Sequence, residues 1–235
     1  MTQLRFILLG LALFAASLVA QAKETTIPFE SEIAAFAAKD KAAPPPPGGI
    51  LFAGSSSIRL WKTLEADFPG YPVINRGFGG SQIADSTAVA ERIILPCQPR
   101  VVLLYAGDND LAAGKSPQQV AEDFKAFVAK ISAALPRVQI AFIAIKPSPS
   151  RWKLAEKVRE ANALIKDFTE RNPRLRFIDV YTPMIGANGE PRKSLFIADQ
   201  LHMNPSGYAL WTSLIRPHLE ALSEGGEGRP FSEDK

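Results

Sequence analysis

The sequence has few cysteines and histidines, the residues that form disulfides and that most often transfer protons near neutral pH. Cys97 is its single cysteine, so the chain cannot close an internal disulfide. Cys97 lies between two prolines in ILPCQPR with no histidine beside it, and we interpret it as structural rather than nucleophilic. The only histidines are His202 and His218. Any mechanism that needs an imidazole must therefore use one of them.

The chain also lacks a strong charge of either sign. Its 27 basic and 24 acidic residues leave a formal net charge of +3, and they are interspersed along the sequence. A nucleic-acid backbone selects a basic stripe, so we expect no nucleic-acid partner. Apolar residues make up 46% of the chain and charged residues 22%, as in ordinary globular domains. The length of 235 residues predicts one domain with tails.

The N-terminal apolar run is too short for a typical membrane span. It covers residues 6–19, follows Arg5, and ends at Ala20 and Ala22, the small residues that a signal peptidase requires. This pattern predicts a signal peptide over residues 1–22, cleaved after Ala22, and a periplasmic or secreted protein with no stable membrane span. A retained N-terminal anchor is the alternative. No cysteine follows the run, so a bacterial lipoprotein is not expected.

The rest of the chain divides into three parts. Residues 23–48 form a lead-in with a short helical stretch and a proline run. For this run, a spacer is favoured over a proline-rich ligand for a partner. Residues 49–224 form the main domain, and residues 225–235 form a polar tail.

Short apolar runs alternate with helical patterns through the main domain. The runs that predict strands cover residues 50–53, 73–75, 101–105, 140–145 and 175–180. They show little polar alternation, which is typical of parallel strands buried on both faces. Helices are predicted from a capping box at Ser116 and Gln119, from about Arg151, and from about Pro205. This alternation predicts a doubly wound α/β sheet with right-handed crossovers.

Polar and glycine-rich segments follow each predicted strand. They read GSSS at 54–57, NRGFGGS at 75–81, AGDND at 106–110, KPSPSRW at 146–152 and ADQLHMNP at 198–205. Ligands of such sheets bind beyond the carboxyl ends of the strands, so we expect the site there. Acyl transfer by a serine needs a histidine that accepts its proton, a carboxylate that orients the histidine, and donors that face the oxyanion.

Two residues of the last segment have the spacing of such a histidine and carboxylate. Asp199 precedes His202 by three positions, so one turn of chain can hold the carboxylate beside the imidazole. We interpret His218, in the last predicted helix, as structural or surface-exposed. Each motif alone is a weak signal, because an Asp-x-x-His can be a loop salt bridge and an asparagine after a strand is often a turn residue.

In this order, the four blocks FAGSSSIRLW, NRGFGGS, GDND and DQLH resemble those of the SGNH hydrolases, also called the GDSL esterase/lipase family. The resemblance extends over residues 50–216. It implies a three-layer α/β/α sandwich with a five-stranded parallel, flavodoxin-like sheet. It also implies a catalytic triad of Ser56, Asp199 and His202. The oxyanion hole would be formed by Ser56, Gly80 and Asn109, and no metal or cofactor would be needed.

The sequence departs from the family pattern at two positions. Ser55 replaces the aspartate of Gly-Asp-Ser, and Ser81 stands where many relatives carry an aspartate. The aspartate that Ser55 replaces is not a triad member, so we expect the chemistry to survive. Both changes remove negative charge near the site, and a shift in substrate preference is the expected consequence, in a direction that the sequence does not define. We interpret Ser57 as a helix-initiating residue.

The resemblance implies a serine esterase whose acyl-enzyme is released by water. Short acyl esters, such as acetyl esters on carbohydrate or small alcohols, are the favoured substrates, because no long apolar lid is visible. The alternatives are a lysophospholipase, a thioesterase, an acyltransferase and, disfavoured by the full set of site residues, a non-catalytic binding protein. The sequence predicts nothing about the oligomeric state.

Residues beside the four blocks have two interpretations. Lys146, Ser148, Ser150 and Arg151 could shape the pocket, but a proline-stiffened loop is slightly favoured. We expect Arg59 to be exposed and Trp61 to pack in the core. Tyr105 is expected to support the end of its strand.

Overall fold

The protein is described by a computed structural model over residues 29–224. The predicted signal peptide at 1–22 and the predicted polar tail at 225–235 lie outside the described residues. No helix within the described part of the chain has the length and apolarity needed to cross a membrane.

A parallel sheet of five strands forms the centre of the fold. Its strands are β1 (Ile50–Gly54), β2 (Val73–Gly77), β3 (Val101–Tyr105), β4 (Gln139–Ile143) and β5 (Leu175–Ile178). Their order is β2-β1-β3-β4-β5, and every neighbouring pair is parallel. This arrangement is the flavodoxin-like order and confirms the predicted fold class.

The fourth predicted strand ends earlier than its apolar run. Ile145 is fully buried, yet its N–H donates to Asn162 Oδ1 at 2.8 Å instead of to a strand. The apolar run therefore follows burial rather than strand pairing, which explains why a prediction from apolarity extended the strand to residue 145.

Helices cover both faces of the sheet. They are α1 (Glu30–Ala42), α2 (Ser56–Arg59), α3 (Leu64–Asp67), α4 (Ile83–Ala88), α5 (Ala90–Ile93), α6 (Asp108–Ala112), α7 (Pro117–Ala134), α8 (Ala155–Glu170) and α9 (Pro205–Glu224). The capping box at the start of α7 is confirmed by reciprocal bonds between Ser116 and Gln119. The helix predicted from about Arg151 begins at Ala155, because 3₁₀ turns with a non-helical Arg151 precede it.

The sheet separates two apolar cores. Alternate residues of β1 point to opposite faces, so Leu51 joins the core beneath α7 and α8 while Phe52 joins the core beneath α9. Phe124 and Phe127 fill the first core, and Trp211 contributes to the second. The three layers of the predicted sandwich are therefore present.

Gly54 ends β1 in a way that only glycine allows. Its φ is +128°, and a Cβ at this position would lie 1.9 Å from the Tyr105 carbonyl oxygen. The end of β1 thus lies directly against the end of β3. The chain then turns at once into the serine segment.

Candidate active site

Of the three consecutive serines, Ser56 alone is partly accessible. Ser55 and Ser57 are each 1% exposed. The Ser55 Oγ makes no hydrogen bond within residues 29–224. The Ser56 Oγ lies 2.9 Å from His202 Nε2, across 146 positions of sequence. The fold therefore presents the middle serine to an imidazole and buries its neighbours.

The interpretation of Ser57 as a helix-initiating residue is corrected by the start of α2. Ser55 occupies the N-cap position, and its side chain makes no cap hydrogen bond. Ser57 lies inside the first turn, where its own carbonyl oxygen accepts the Tyr208 hydroxyl at 3.0 Å. Burial of both hydroxyls explains why neither serves as an ordinary helix cap.

The loop after β5 places Asp199 behind His202. Asp199 Oδ2 lies 2.6 Å from His202 Nδ1, and Asp199 Oδ1 accepts the backbone N–H groups of Leu201 and His202 at 2.9 Å each. Burial raises the pKa of Asp199, but the hydrogen bonds from His202 and the backbone outweigh it and lower the pKa to about 2. An ionised Asp199 accepts a hydrogen bond from the Nδ1–H of His202, and in this tautomer the Nε2 lone pair faces Ser56.

Gly80 and Asn109 lie next to each other, in the segments that follow β2 and β3. Asn109 is the second residue of α6, the helix that follows β3, and its Nδ2 donates to the Ser81 carbonyl oxygen at 3.1 Å. A Cβ on Gly80 would lie 3.8 Å from the same Nδ2 atom. The structure therefore brings together the glycine and asparagine that the sequence predicted as oxyanion donors. Ser81 itself is fully buried, with its hydroxyl bonded to the Phe78 carbonyl at 3.1 Å.

Two carboxylates outside the predicted triad fix the segment that carries Gly80. Glu32 of α1 accepts the Gly79 N–H at 2.9 Å. The fully buried Asp110 lies 3.3 Å from the Ile83 N–H and 3.0 Å from Lys115 Nζ. Burial raises the pKa of Asp110 despite the nearby Lys115 ammonium. The second aspartate of GDND thus supports the loop and has no contact with His202.

A buried group of charges lies behind Asn109. Lys146 Nζ is 3.2 Å from Asp108 Oδ2 and 2.9 Å from the Tyr105 hydroxyl. Arg151 Nη1 lies 3.2 Å from the same Asp108 oxygen, and Arg151 Nη2 donates to Asn109 Oδ1 at 2.9 Å. Burial raises the pKa of Asp108, but Lys146 and Arg151 together hold it below its ordinary value. We call Tyr105, Asp108, Lys146 and Arg151 the buried charge group; the first three are buried, and Arg151, at 23% exposure, closes it towards the solvent.

The favoured interpretation of 146–151 as a proline-stiffened loop missed this group. Lys146 and Ser148 are buried, whereas Ser150 is exposed, and its N–H donates to the Gln200 carbonyl at 3.1 Å. The sequence does contain the residues of this group: Asp108 in GDND, and the two cations Lys146 and Arg151 after β4. Because about 40 positions separate the acid from the cations, no local pattern indicates that they pair.

The remaining expectations concern residues outside this arrangement. Trp61 is 1% exposed and packs in the core, whereas Arg59 is exposed and lies 3.4 Å from Glu32. Cys97 is buried 3.3 Å from Arg76, and burial raises its pKa, as a structural cysteine requires. His218 lies in α9, and its pKa is lowered mainly by partial burial and to a smaller extent by the positive charge of Arg176. Within residues 29–224, no group of three or more His, Cys, Asp or Glu side chains is placed to hold a metal ion.

Comparison with known proteins identifies the family. The model of the GDSL-like lipase/acylhydrolase family matches residues 49–210. The chain therefore belongs to this family, and it is an ester-hydrolysing enzyme of α/β fold.

Individual relatives are more distant. The chain is 26% identical over 198 residues to the human platelet-activating factor acetylhydrolase IB subunit alpha1, a match that covers 78% of this chain and 81% of the relative. A GDSL-like lipase from Bacteroides thetaiotaomicron has the same fold with a TM-score of 0.70 and 21% identity, over 80% of this chain and 97% of that one. A carbohydrate esterase of family 3 from Talaromyces cellulolyticus aligns with a TM-score of 0.59 and 16% identity, over 76% of this chain and all of that one (100%).

Proposed function

We propose that the chain is an exported serine esterase that hydrolyses short acyl esters through a Ser56 acyl-enzyme. The observation that carries the proposal is the 2.9 Å contact between Ser56 Oγ and His202 Nε2, with Asp199 at 2.6 Å on the far side of the ring. A serine attacks only as its proton leaves, and this arrangement provides the acceptor and the carboxylate that stabilises the resulting imidazolium.

Each half-reaction uses the same imidazole. His202 Nε2 takes the Ser56 proton as Oγ bonds to the ester carbonyl carbon, and the carbonyl oxygen becomes an oxyanion. The backbone N–H groups of Ser56 and Gly80 and the side-chain amide of Asn109 stabilise that charge. The intermediate then collapses, the C–O bond to the alcohol breaks, and His202 protonates the leaving oxygen. A water molecule repeats the attack on the acyl-enzyme, which releases the acid and returns the proton to Ser56.

Acetyl esters on carbohydrate or small alcohols are the substrates that we propose. Two similar proteins support this choice by their names, an acetylhydrolase and a carbohydrate esterase. Export is part of the proposal and rests on the pattern of residues 1–22. It is tested by N-terminal sequencing of the mature protein, which is expected to begin at Lys23.

The experiment is an ester panel with a matched serine control. Wild type, Ser56→Ala and Ser55→Ala are assayed with p-nitrophenyl acetate, p-nitrophenyl octanoate and acetylated sugars. We expect at least about tenfold higher kcat/KM for the acetate than for the octanoate, a loss of about 10⁴-fold or more in Ser56→Ala, and near wild-type rates in Ser55→Ala.

The same panel separates the alternatives. Equal, slow rates for wild type and Ser56→Ala would overturn the esterase mechanism. Preference for octanoate would favour a lysophospholipase or thioesterase. Acyl transfer to a sugar that outruns hydrolysis would identify an acyltransferase.

A further inference from the structure

An asparagine serves an oxyanion only when its amide has the correct orientation. The Nδ2 end carries two N–H donors, whereas the Oδ1 end is an acceptor that would repel a negatively charged oxygen. The two ends have nearly the same shape, so packing alone does not choose between them. The neighbours of Asn109 must therefore define which end faces the substrate.

Both hydrogen-bond partners of Asn109 select the same orientation. Arg151 Nη2 lies 2.9 Å from Oδ1, and a guanidinium has donors but no acceptor. The Ser81 carbonyl oxygen lies 3.1 Å from Nδ2, and a carbonyl has no donor. If the amide were flipped, its NH₂ group would face the Arg151 donors and its oxygen would face the Ser81 carbonyl oxygen, and both hydrogen bonds would be lost. In the observed orientation, one Nδ2 proton is used by Ser81 and the second remains for the Gly80 side of the site.

Arg151 is itself fixed by the buried charge group. Its second nitrogen, Nη1, lies 3.2 Å from Asp108 Oδ2, and Lys146 holds the same oxygen at 3.2 Å. Lys146 is anchored in turn by the Tyr105 hydroxyl at the end of β3, at 2.9 Å. The guanidinium places one nitrogen on Asp108 and the other on Asn109, and its planarity fixes the two contacts relative to each other. The chain of contacts therefore runs from the sheet to the Asn109 amide.

The charges of this group favour a negative substrate oxygen as well. One carboxylate, Asp108, is set against two cations, Lys146 and Arg151, so the group carries a net positive charge. The low dielectric constant of the buried surroundings strengthens the electrostatic effect of this charge. Arg151 is the member of the group that contacts Asn109, so it brings the positive charge nearest to the site.

We propose that Arg151 is a positioning residue for the reaction, which orients the Asn109 amide towards the oxyanion and fixes a positive charge behind it. The proposal rests on the proposed function of Ser56 and Asn109. Because Arg151 acts through Asn109, its contribution should disappear when Asn109 is absent.

A double-mutant cycle tests this dependence. Arg151→Met removes the donors and keeps much of the side-chain volume, and it is measured in the wild-type and Asn109→Ala backgrounds with p-nitrophenyl acetate. We expect Asn109→Ala to lower kcat by roughly 10²–10³-fold. We expect Arg151→Met to lower kcat by at least about tenfold with KM changed less than about threefold, and to cost less than about threefold when Asn109 is already alanine. Lys153→Met, an exposed cation of the same turn, controls for general charge effects and should change kcat less than about twofold.

Two results would overturn the proposal. Equal losses from Arg151→Met in both backgrounds would show that Arg151 does not act through Asn109. A raised KM with unchanged kcat would make Arg151 a substrate-binding residue. Arg151→Lys is the second variant, in case the methionine disturbs folding. It keeps the charge and a donor for Asn109 Oδ1 but loses the planar fork, so we expect its kcat to lie between those of wild type and Arg151→Met. A kcat below that of Arg151→Met would contradict the orienting role.

A crystal structure of Arg151→Met gives a readout that does not depend on activity. We expect the Asn109 amide, then restrained by the Ser81 carbonyl oxygen alone, to show a second conformer or clearly raised displacement parameters. A single, equally ordered amide in the wild-type position would exclude the orienting role even if the esterase reaction is confirmed. If Ser56→Ala and wild type are equally inactive, the proposed function fails, and the crystal structure still decides whether Arg151 orients Asn109.

Discussion

The two sides of Ser56 are built in opposite ways. On one side, His202 and Asp199 are three positions apart in one loop, and their side chains are 22% and 44% exposed. On the other side, Lys146 and Asp108 are 38 positions apart, and their side chains are 1% and 9% exposed. In the proposed mechanism, the accessible side accepts and returns the proton, and the buried side supports the residues that stabilise the oxyanion.

The difference follows from what each task needs. A proton acceptor must return its proton to a leaving group or a water molecule, so exposure does not harm it. Stabilisation of an oxyanion depends on fixed dipoles and charges, which act more strongly away from water. We therefore expect the accessible pair to affect activity with little effect on stability, and the buried charge group to affect both.

The largest expected effect is a loss of activity when His202 is removed from the accessible side. His202→Ala should lower kcat/KM for p-nitrophenyl acetate by about 10⁴-fold, because no other histidine contacts Ser56 in the described residues. The free energy of unfolding should change by less than about 1 kcal/mol, since the His202–Asp199 pair is partly exposed to solvent. Enzyme kinetics and urea unfolding measure the two quantities. Activity within tenfold of wild type would contradict the proposed role of His202.

The next effect tests the buried side. Lys146→Met should lower the free energy of unfolding by about 3 kcal/mol, because Asp108 stays buried with one cation removed. Lys125→Met is the matched control, since Lys125 pairs with Glu122 at 2.7 Å on the surface and should contribute less than about 1 kcal/mol. Urea unfolding of both variants measures the contrast. Equal losses would show that burial does not distinguish the two ion pairs.

The smallest expected effect is the dependence of stability on the ionisation of Asp199, which is measured by varying the pH. The pKa of Asp199 is about 2 in the folded protein and 3.8 ordinarily, so its charged form stabilises the fold above pH 3.8, and that contribution is lost as the pH falls through 2. The melting temperature of Asp199→Asn should lie below that of wild type at pH 6, and the gap should close between pH 4 and pH 2. Thermal unfolding over this range measures the gap. A gap that widens towards pH 2 would be inconsistent with the lowered pKa.

This contrast also explains what the sequence could and could not predict. The sheet could be predicted because buried parallel strands appear in the sequence as apolar runs. The pairing of Asp199 with His202 could be predicted because the two residues lie within one turn of chain. The contact of Arg151 with Asn109 spans 42 positions and leaves no local pattern. Ser57 was misjudged for a related reason, since its burial and the bond from the Tyr208 hydroxyl to its carbonyl oxygen, across 151 positions, leave no local pattern.

The central claim is that Ser56, and neither neighbouring serine, forms the covalent intermediate. A fluorophosphonate ester traps such a serine, and mass spectrometry of the intact protein and its peptides locates the adduct. We predict a single adduct on Ser56 in wild type and in Ser55→Ala, and none in Ser56→Ala. An active wild type that carries no adduct, or an adduct that persists in Ser56→Ala, would contradict the account.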